Sequence, residues 1–319
     1  MDIDRFEKLI EPELAGLDEE LSRILGTDHP VLINLAERIM AAPGKRLRPK
    51  LLVLCARMLG YEAPDTITYA ACFELIHTAT LIHDDIIDDA RTRRGQTTMN
   101  AQYGNTLTVL YGDLLYTKSH TRAIEAGRLD VMHVIDWISE RMIEGELLQH
   151  YNLFDAHISE DTYFDILKRK TAYLFAGTTK TAGLLANISP QQVMALYEFG
   201  FQLGVAFQLM DDYLDYTGKA KNMGKPVLSD LVEGKVTLPL IRLLHQEPDA
   251  IALVLKCWDE KVVPLELVER IKSSDVLPYT LEYAHQASAK ALAHLELFPD
   301  NEFKQVLCAL PLYLLSRNK

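Results

Sequence analysis

Two aspartate clusters could do chemistry in this sequence. The first is Leu81-Ile82-His83-Asp84-Asp85-Ile86-Ile87-Asp88-Asp89 and the second is Gln208-Leu209-Met210-Asp211-Asp212-Tyr213-Leu214-Asp215, so each contains Asp-Asp-x-x-Asp. On a helix, Asp84 and Asp88 lie four apart on one face, as do Asp211 and Asp215, with Asp85 and Asp212 at its flank. Like charges at that spacing cost an isolated helix roughly 0.2–0.5 kcal/mol per pair, and Asp is a poor interior helix former. Local stability therefore does not account for the pattern. Carboxylate oxygens are hard ligands, and magnesium usually takes one or two of them together with water and phosphate oxygens. The bland alternative is a solvated helix face. Two copies with apolar flanks, Ile86 and Ile87 in one and Leu209, Met210 and Leu214 in the other, favour carboxylates at the rim of an apolar cavity.

An anion held by such carboxylates through metal also needs cations, and short basic segments supply them. Gly44-Lys45-Arg46-Leu47-Arg48-Pro49 precedes an apolar run, and a plain basic turn is its simpler reading. Arg91-Thr92-Arg93-Arg94-Gly95 follows the first cluster, where cations in a last helical turn before Gly would also make a good C-terminal cap. Arginine nevertheless matches phosphate oxygens with its planar fork, so both readings can hold. Lys168-Arg169-Lys170-Thr171 reads by itself as the exposed basic face of a helix. The stretch from Gly218 to Gly234 and the Lys235 that follows it supply Lys225 and Lys235, which could fold over a diphosphate or simply belong to a connector between two helices. His77 and His83 share the helix of the first cluster. For His83 a hydrogen-bonded structural role is the favoured reading.

These groups must be positioned by helices. Between Asp65 and Ser189 there is no proline, and apolar residues recur at three- and four-residue spacing, with no alternating strand-like run. Breaks are expected around Gly44 to Pro49, at Arg94-Gly95, at Gly127, across Asn152 to Ser159, at Ser189-Pro190 and across Gly218 to Gly234. No linker is long enough to separate domains. The expectation is one all-α domain over residues 1–319, a single helical bundle with no solenoid repeat.

Composition narrows the function. Asp and Glu number 45 against 33 Lys and Arg, a formal charge of -12, which disfavours general affinity for nucleic acid or anionic lipid. Cys55, Cys72, Cys257 and Cys308 are widely spaced with no CxxC pair, as suits buried reduced thiols in a cytoplasmic protein. The first residues lack a signal-peptide pattern. No apolar run reaches the length expected of a membrane span, so no stable anchor is expected.

Taken in order, Gly44-Lys45-Arg46-Leu47-Arg48-Pro49, the first aspartate cluster with Arg93-Arg94-Gly95, Lys170-Thr171, Phe207 through Asp215, and Gly234-Lys235 resemble the trans-isoprenyl diphosphate synthase family. The set spans nearly the whole chain, and separate helices and loops would have to match in the same order by chance. The resemblance implies the all-α isoprenoid synthase fold around a central cavity, a homodimer, and magnesium dependence, with three Mg2+ ions per active site when diphosphate is bound. It implies that Lys45, Arg48 and His77 hold isopentenyl diphosphate, with Arg94 as a further contact. The allylic diphosphate would be held by Arg93, Lys170, Thr171, Gln208, Lys225 and Lys235. Asp84, Asp85, Asp88, Asp211, Asp212 and Asp215 would coordinate magnesium. The catalytic set is then Asp84, Asp85, Asp88, Asp211 and Asp212 with Arg93, Lys170 and Lys225. The implied reaction ionises the allylic diphosphate and adds isopentenyl diphosphate head to tail, with the released diphosphate taking the proton.

In such a family the product grows along the helix of the first cluster. Ala79 and Thr80 stand at the position where a bulky residue would stop it. Ala79 is five residues before Asp84, roughly 7.5 Å along the axis, and is too small to block. A long-chain product is therefore expected, while close helix packing is the plainer reason for an alanine. Trp137 and the turn from Tyr111 to Tyr116 are unplaced candidates for the tunnel floor. A short-chain farnesyl or geranylgeranyl synthase is the alternative within the same chemistry. Terpene cyclases do not need a second diphosphate site, and intact aspartates argue against a non-catalytic prenyl-diphosphate-binding subunit.

Overall fold

Helix starts follow signals that the chain carries locally. The structure, a computed structural model, describes residues 8–93, 95–217 and 228–316. Proline at the first or second position opens Glu11–Leu25 (α1) and Pro30–Ala41 (α2), where the missing N–H has no helical partner to lose. Leu47–Met58 (α3) places Pro49 in its first turn, as expected. Asp65–Ile87 (α4) carries the first aspartate cluster at its C-terminal end. Thr92–Arg93 (β1) and Gln96–Thr97 (β2) then form an antiparallel pair, Thr92 opposite Thr97 and Arg93 opposite Gln96. This hairpin corrects one expectation: Arg91 to Arg93 do not form the last turn of a helix. Asp89, at φ 46°, has already turned the backbone out of the helix, and Gly95 at φ 77° supplies the left-handed residue of the hairpin.

Met99–Tyr103 (α5), Asn105–Glu125 (α6), Leu129–Tyr151 (α7) and Glu160–Leu167 (α8) follow. Ser159 caps α8, its side chain accepting from the Thr162 N–H at 3.1 Å. Lys168–Ala172 is a π turn that runs straight into Tyr173–Leu185 (α9). Pro190–Thr217 (α10) carries the second aspartate cluster. Then come Ser229–Val232 (α11), Leu238–Gln246 (α12), Ile251–Glu260 (α13), Leu265–Ser273 (α14), Val276–His294 (α15) and Glu302–Ser316 (α16). The all-α expectation holds.

By proximity the residues fall into two compact units, each drawn from three stretches of chain. The first comprises Met1–Ser139, Phe175–Glu198 and His294–Ala309, and the second Glu140–Leu174, Phe199–Ala293 and Leu310–Lys319. In the first, α4 lies along α6 and packs on α1 and α3. Leu17, Leu21, Leu35, Leu75, Ala79, Tyr111 and Leu115 share one buried cluster there. In the second, Tyr163, Leu167, Leu209, Met210, Leu238, Leu243 and Trp258 belong to another. Each such large apolar side chain contributes about 1.5–3 kcal/mol on burial, enough to hold the carboxylate-bearing helices in place.

One expectation about apolar runs is corrected by α10. It is long and apolar enough to cross a membrane by length and composition, yet half of its apolar window is buried inside the structure. The same helix bears Asp211, Asp212 and Asp215, and a core helix explains its apolarity. All four cysteines are free; Cys55, Cys72 and Cys257 are buried and Cys308 is partly so.

Candidate active site

In the first unit, α4 ends at Ile87 and Asp88 is its cap. The Asp88 N–H donates to the Asp84 carbonyl at 2.8 Å, so the two residues keep helical register although the second lies past the helix. Asp84 and Asp88 are half-buried, whereas Asp85 is only 6% exposed. Arg93 Nε donates to Asp85 Oδ1 at 2.6 Å, which folds the hairpin back on the aspartate helix. Asn100 reinforces this fold, its Nδ2 donating to the carbonyls of Asp85 at 3.0 Å and Ala90 at 3.1 Å. Arg93 is thus tied to a carboxylate in this structure. Of the apolar flank, Ile86 is half-buried and Ile87 is 47% exposed.

His83 has the structural role favoured for it. Its Nε2 lies 3.1 Å from the Val109 carbonyl of α6, and a Cβ on Gly112 would overlap that same nitrogen. Only glycine lets α6 approach the histidine so closely. His77 is half-buried on α4 and Lys45 is exposed before α3. The Arg48 guanidinium lies over the Phe175 ring, 4.9 Å from its centre. Arg46 pairs with Asp18 and holds φ at 47°, so the loop before α3 has a defined shape. Arg94 lies outside the described residues.

Ala79 is fully buried in the cluster that α4 makes with α1 and α6, together with Tyr111 and Leu115. Thr80 is half-buried, its hydroxyl donating to the His77 carbonyl at 2.8 Å. At helical spacing His77, Thr80 and Asp84 fall on one stripe and Ala79 falls on the next. Trp137 is 39% exposed.

In the second unit the aspartates sit deeper. Asp212 is 3% and Asp215 is 6% exposed, while Asp211 is half-buried. Tyr163 donates its hydroxyl to Asp212 Oδ2 at 2.5 Å, and Gln208 Nε2 donates to Asp212 Oδ1 at 2.8 Å. Thr171 Oγ1 donates in turn to Gln208 Oε1 at 2.8 Å. Ser229 gives Asp215 Oδ1 both its N–H at 3.2 Å and its hydroxyl at 3.1 Å. Burial, then the neighbouring Asp230 charge, push both Asp212 and Asp215 up to about 7, against the hydrogen bonds that oppose the shift.

Lys170 and Thr171 do not lie on an exposed helical face. They sit in the π turn, with Thr171 buried and Lys170 Nζ bonded to Glu146 at 2.6 Å and Gln149 Oε1 at 2.9 Å. A π turn shifts the helical register by a residue, a device frequent at functional sites. Lys235 Nζ pairs with Glu233 at 2.8 Å. Lys225 lies outside the described residues. Nothing in the local sequence singles out Tyr163, Asn100 or Gly112, because each acts through a partner distant in the chain.

The donor set fits magnesium. Asp215 Oδ2 is buried and accepts no hydrogen bond, an arrangement that a cation would relieve. Among the described residues no three His, Cys, Asp or Glu side chains form a metal-holding group by themselves. Magnesium commonly takes few protein carboxylates and completes its octahedron with phosphate oxygens and water.

Comparison with known proteins agrees with this geometry. A family model described as polyprenyl synthetase matches residues 29–271. Octaprenyl diphosphate synthase from Escherichia coli K12 is 34% identical over 323 residues, covering 100% of both chains. A polyprenyl synthase from Caulobacter crescentus CB15, complexed with calcium and isoprenyl diphosphate, superposes with a TM-score of 0.93 at 33% identity, over 100% of this chain and 98% of that one. A decaprenyl diphosphate synthase from Rhodobacter capsulatus gives 0.93 at 31% identity over 100% of both. This chain therefore belongs to the polyprenyl synthetase family, with its all-α isoprenoid synthase fold, and is a long-chain trans-prenyltransferase.

Proposed function

We propose that the half-buried and buried aspartates of α4 and α10 bind the magnesium ions, three in number, that carry the allylic diphosphate. Asp215, with one oxygen buried and unbonded, is the observation that carries this reading. When bound, magnesium would supply Lewis-acid stabilisation of the departing diphosphate. Lys170, Gln208, Arg93, Lys225 and Lys235 orient that diphosphate, and Thr171 fixes Gln208. Lys45, Arg48 and His77, with Arg94, hold isopentenyl diphosphate. Such placement makes the condensation effectively unimolecular.

The chain acts as one catalytic domain. In support, each compact unit is discontinuous in sequence, so no single cut yields either one. Its product extends beyond four isoprene units. The relatives named for octaprenyl and decaprenyl diphosphates support this length, as does the small side chain at Ala79. Thr80, on the Asp84 stripe, is the nearer gate. A homodimer is supported by apolar residues left exposed on α6, Val109 and Leu110 at 40% and 60%. A cytoplasmic location fits the four free thiols.

The test is incubation of purified protein with magnesium, labelled isopentenyl diphosphate and each allylic primer, with products resolved by length. A ladder passing four units supports the reading. A ladder ending at three or four rejects the length, and no condensation rejects the site.

A further inference from the structure

The residues of the π turn and the second aspartate cluster form one hydrogen-bonded chain: Thr171 to Gln208, Gln208 to Asp212, and Tyr163 to Asp212. Once Asp212 is ionised, the form that a metal ion needs, its polarity is set: the carboxylate only accepts, so Gln208 presents its nitrogen to Asp212 and its oxygen to Thr171, and Tyr163 donates. Thr171 therefore spends its only hydroxyl proton on Gln208, while the Gln208 amide carries a second N–H. Tyr163 and Asp212 are nearly enclosed, at 6% and 3% exposure. Breaking the Tyr163 contact would leave a carboxylate oxygen desolvated without that partner.

Tyr163 stands in the first turn of α8, and Thr171 lies just past the other end of that helix in the π turn. The segment carrying Lys170 is thus tied to α10 at two points through a single carboxylate. A shift of either element moves the cationic side chain and the carboxylates together. The ring packs edge-on against Phe164 at 5.2 Å, which sets its direction without the hydroxyl.

Resting on the reading above, we propose that Tyr163 is a positioning residue, its hydroxyl locking Asp212 and Gln208 so that the π turn and the second carboxylate set stay in register for the allylic diphosphate. It touches neither substrate nor metal. Partners of this outer kind are worth roughly 10–100-fold in metal affinity or activity.

The test compares Tyr163→Phe with Tyr216→Phe, which also deletes a buried hydroxyl, the one paired with Thr237 at 2.9 Å. Titration calorimetry reads magnesium-dependent binding of inorganic pyrophosphate, and steady-state kinetics separate the two substrates. Tyr163→Phe is expected to weaken pyrophosphate binding and raise the allylic KM by roughly 10–100-fold, with the isopentenyl diphosphate KM changed less than about twofold. Tyr216→Phe should leave both near wild type. Wild-type pyrophosphate affinity in Tyr163→Phe, or an equal loss in Tyr216→Phe, overturns the inference alone. A wild-type chain that binds no pyrophosphate with magnesium overturns the parent reading and this inference with it.

Discussion

Gly145→Ala should damage the site by moving one backbone segment. Gly145 lies on α7 against the π turn, and a Cβ there would stand 2.7 Å from Arg169 Cβ, 2.9 Å from Lys170 N and 3.0 Å from Lys170 Cγ. One of these is a backbone atom, so no rotamer change relieves the contact. Ordinary contact begins near 3.4 Å, and the Lys170 backbone must retreat by about half an ångström. The alanine gains roughly 1 kcal/mol of helix propensity, and over-packing costs about 1–3 kcal/mol, leaving a net loss of about 0–2 kcal/mol. Function should suffer more. Functional constellations tolerate about 0.5 Å, and a misplacement of about 1 Å can cost a hundredfold, so kcat/KM for the allylic diphosphate should fall about tenfold. Gly177→Ala is the control. Its Cβ would collide with Ile138 Cδ1 in the first unit, so it should lower the melting temperature and leave the allylic KM alone. Thermal unfolding and steady-state kinetics on both variants decide the matter. Wild-type allylic kinetics in folded Gly145→Ala would refute the reasoning, since the clash would then have been absorbed away from Lys170.

Gly112→Ala should expel the His83 ring from α6 and break its bond to the Val109 carbonyl, lowering the melting temperature and raising the magnesium needed for half-maximal rate; an unchanged magnesium titration counts against a positioning role. Ala79→Tyr should shorten the product, and since Ala79 is close-packed it should also destabilise the fold by at least about 1–3 kcal/mol. A chromatogram with the wild-type ladder would remove Ala79 from length control. In metal-free protein Asp212 and Asp215 keep their protons up to about pH 7, whereas the unfolded chain releases them near about pH 4. The folded state binds more protons between those values. The stability that these two groups contribute should be fully present below the unfolded value, fall as pH rises toward about 7 and then level off. Magnesium, which needs the ionised form, should protect more as pH rises. Asp215→Asn should flatten the metal-free slope, and melting curves in chelator that keep the wild-type slope would contradict this. Chelation should abolish condensation and added magnesium should restore it; activity persisting in chelator would refute the metal assignment.

The sequence by itself determined the all-helical class, the two carboxylate sets and the order of the basic segments. Those are local signals: apolar spacing, proline placement and residues four apart on one helix face are written within a few turns of chain. The helical breaks near Gly127, Ser189-Pro190 and Asn152 to Ser159 were legible for the same reason. What the tertiary structure decided is which groups are held by which. No local pattern shows that the hairpin folds Arg93 onto Asp85. Lys170 and Thr171 read as an exposed helical face until a π turn and α10 enclose them. Tyr163 gives no sign of its partner, which lies 49 residues away on another helix. Burial also turns Asp212 and Asp215 into carboxyls that titrate near 7, although their residue type is that of ordinary aspartates. The physical reason is common to all of these. Helix propensity and charge spacing act between chain neighbours, whereas desolvation and hydrogen-bond pairing depend on what the folded chain brings alongside, and no local pattern encodes that.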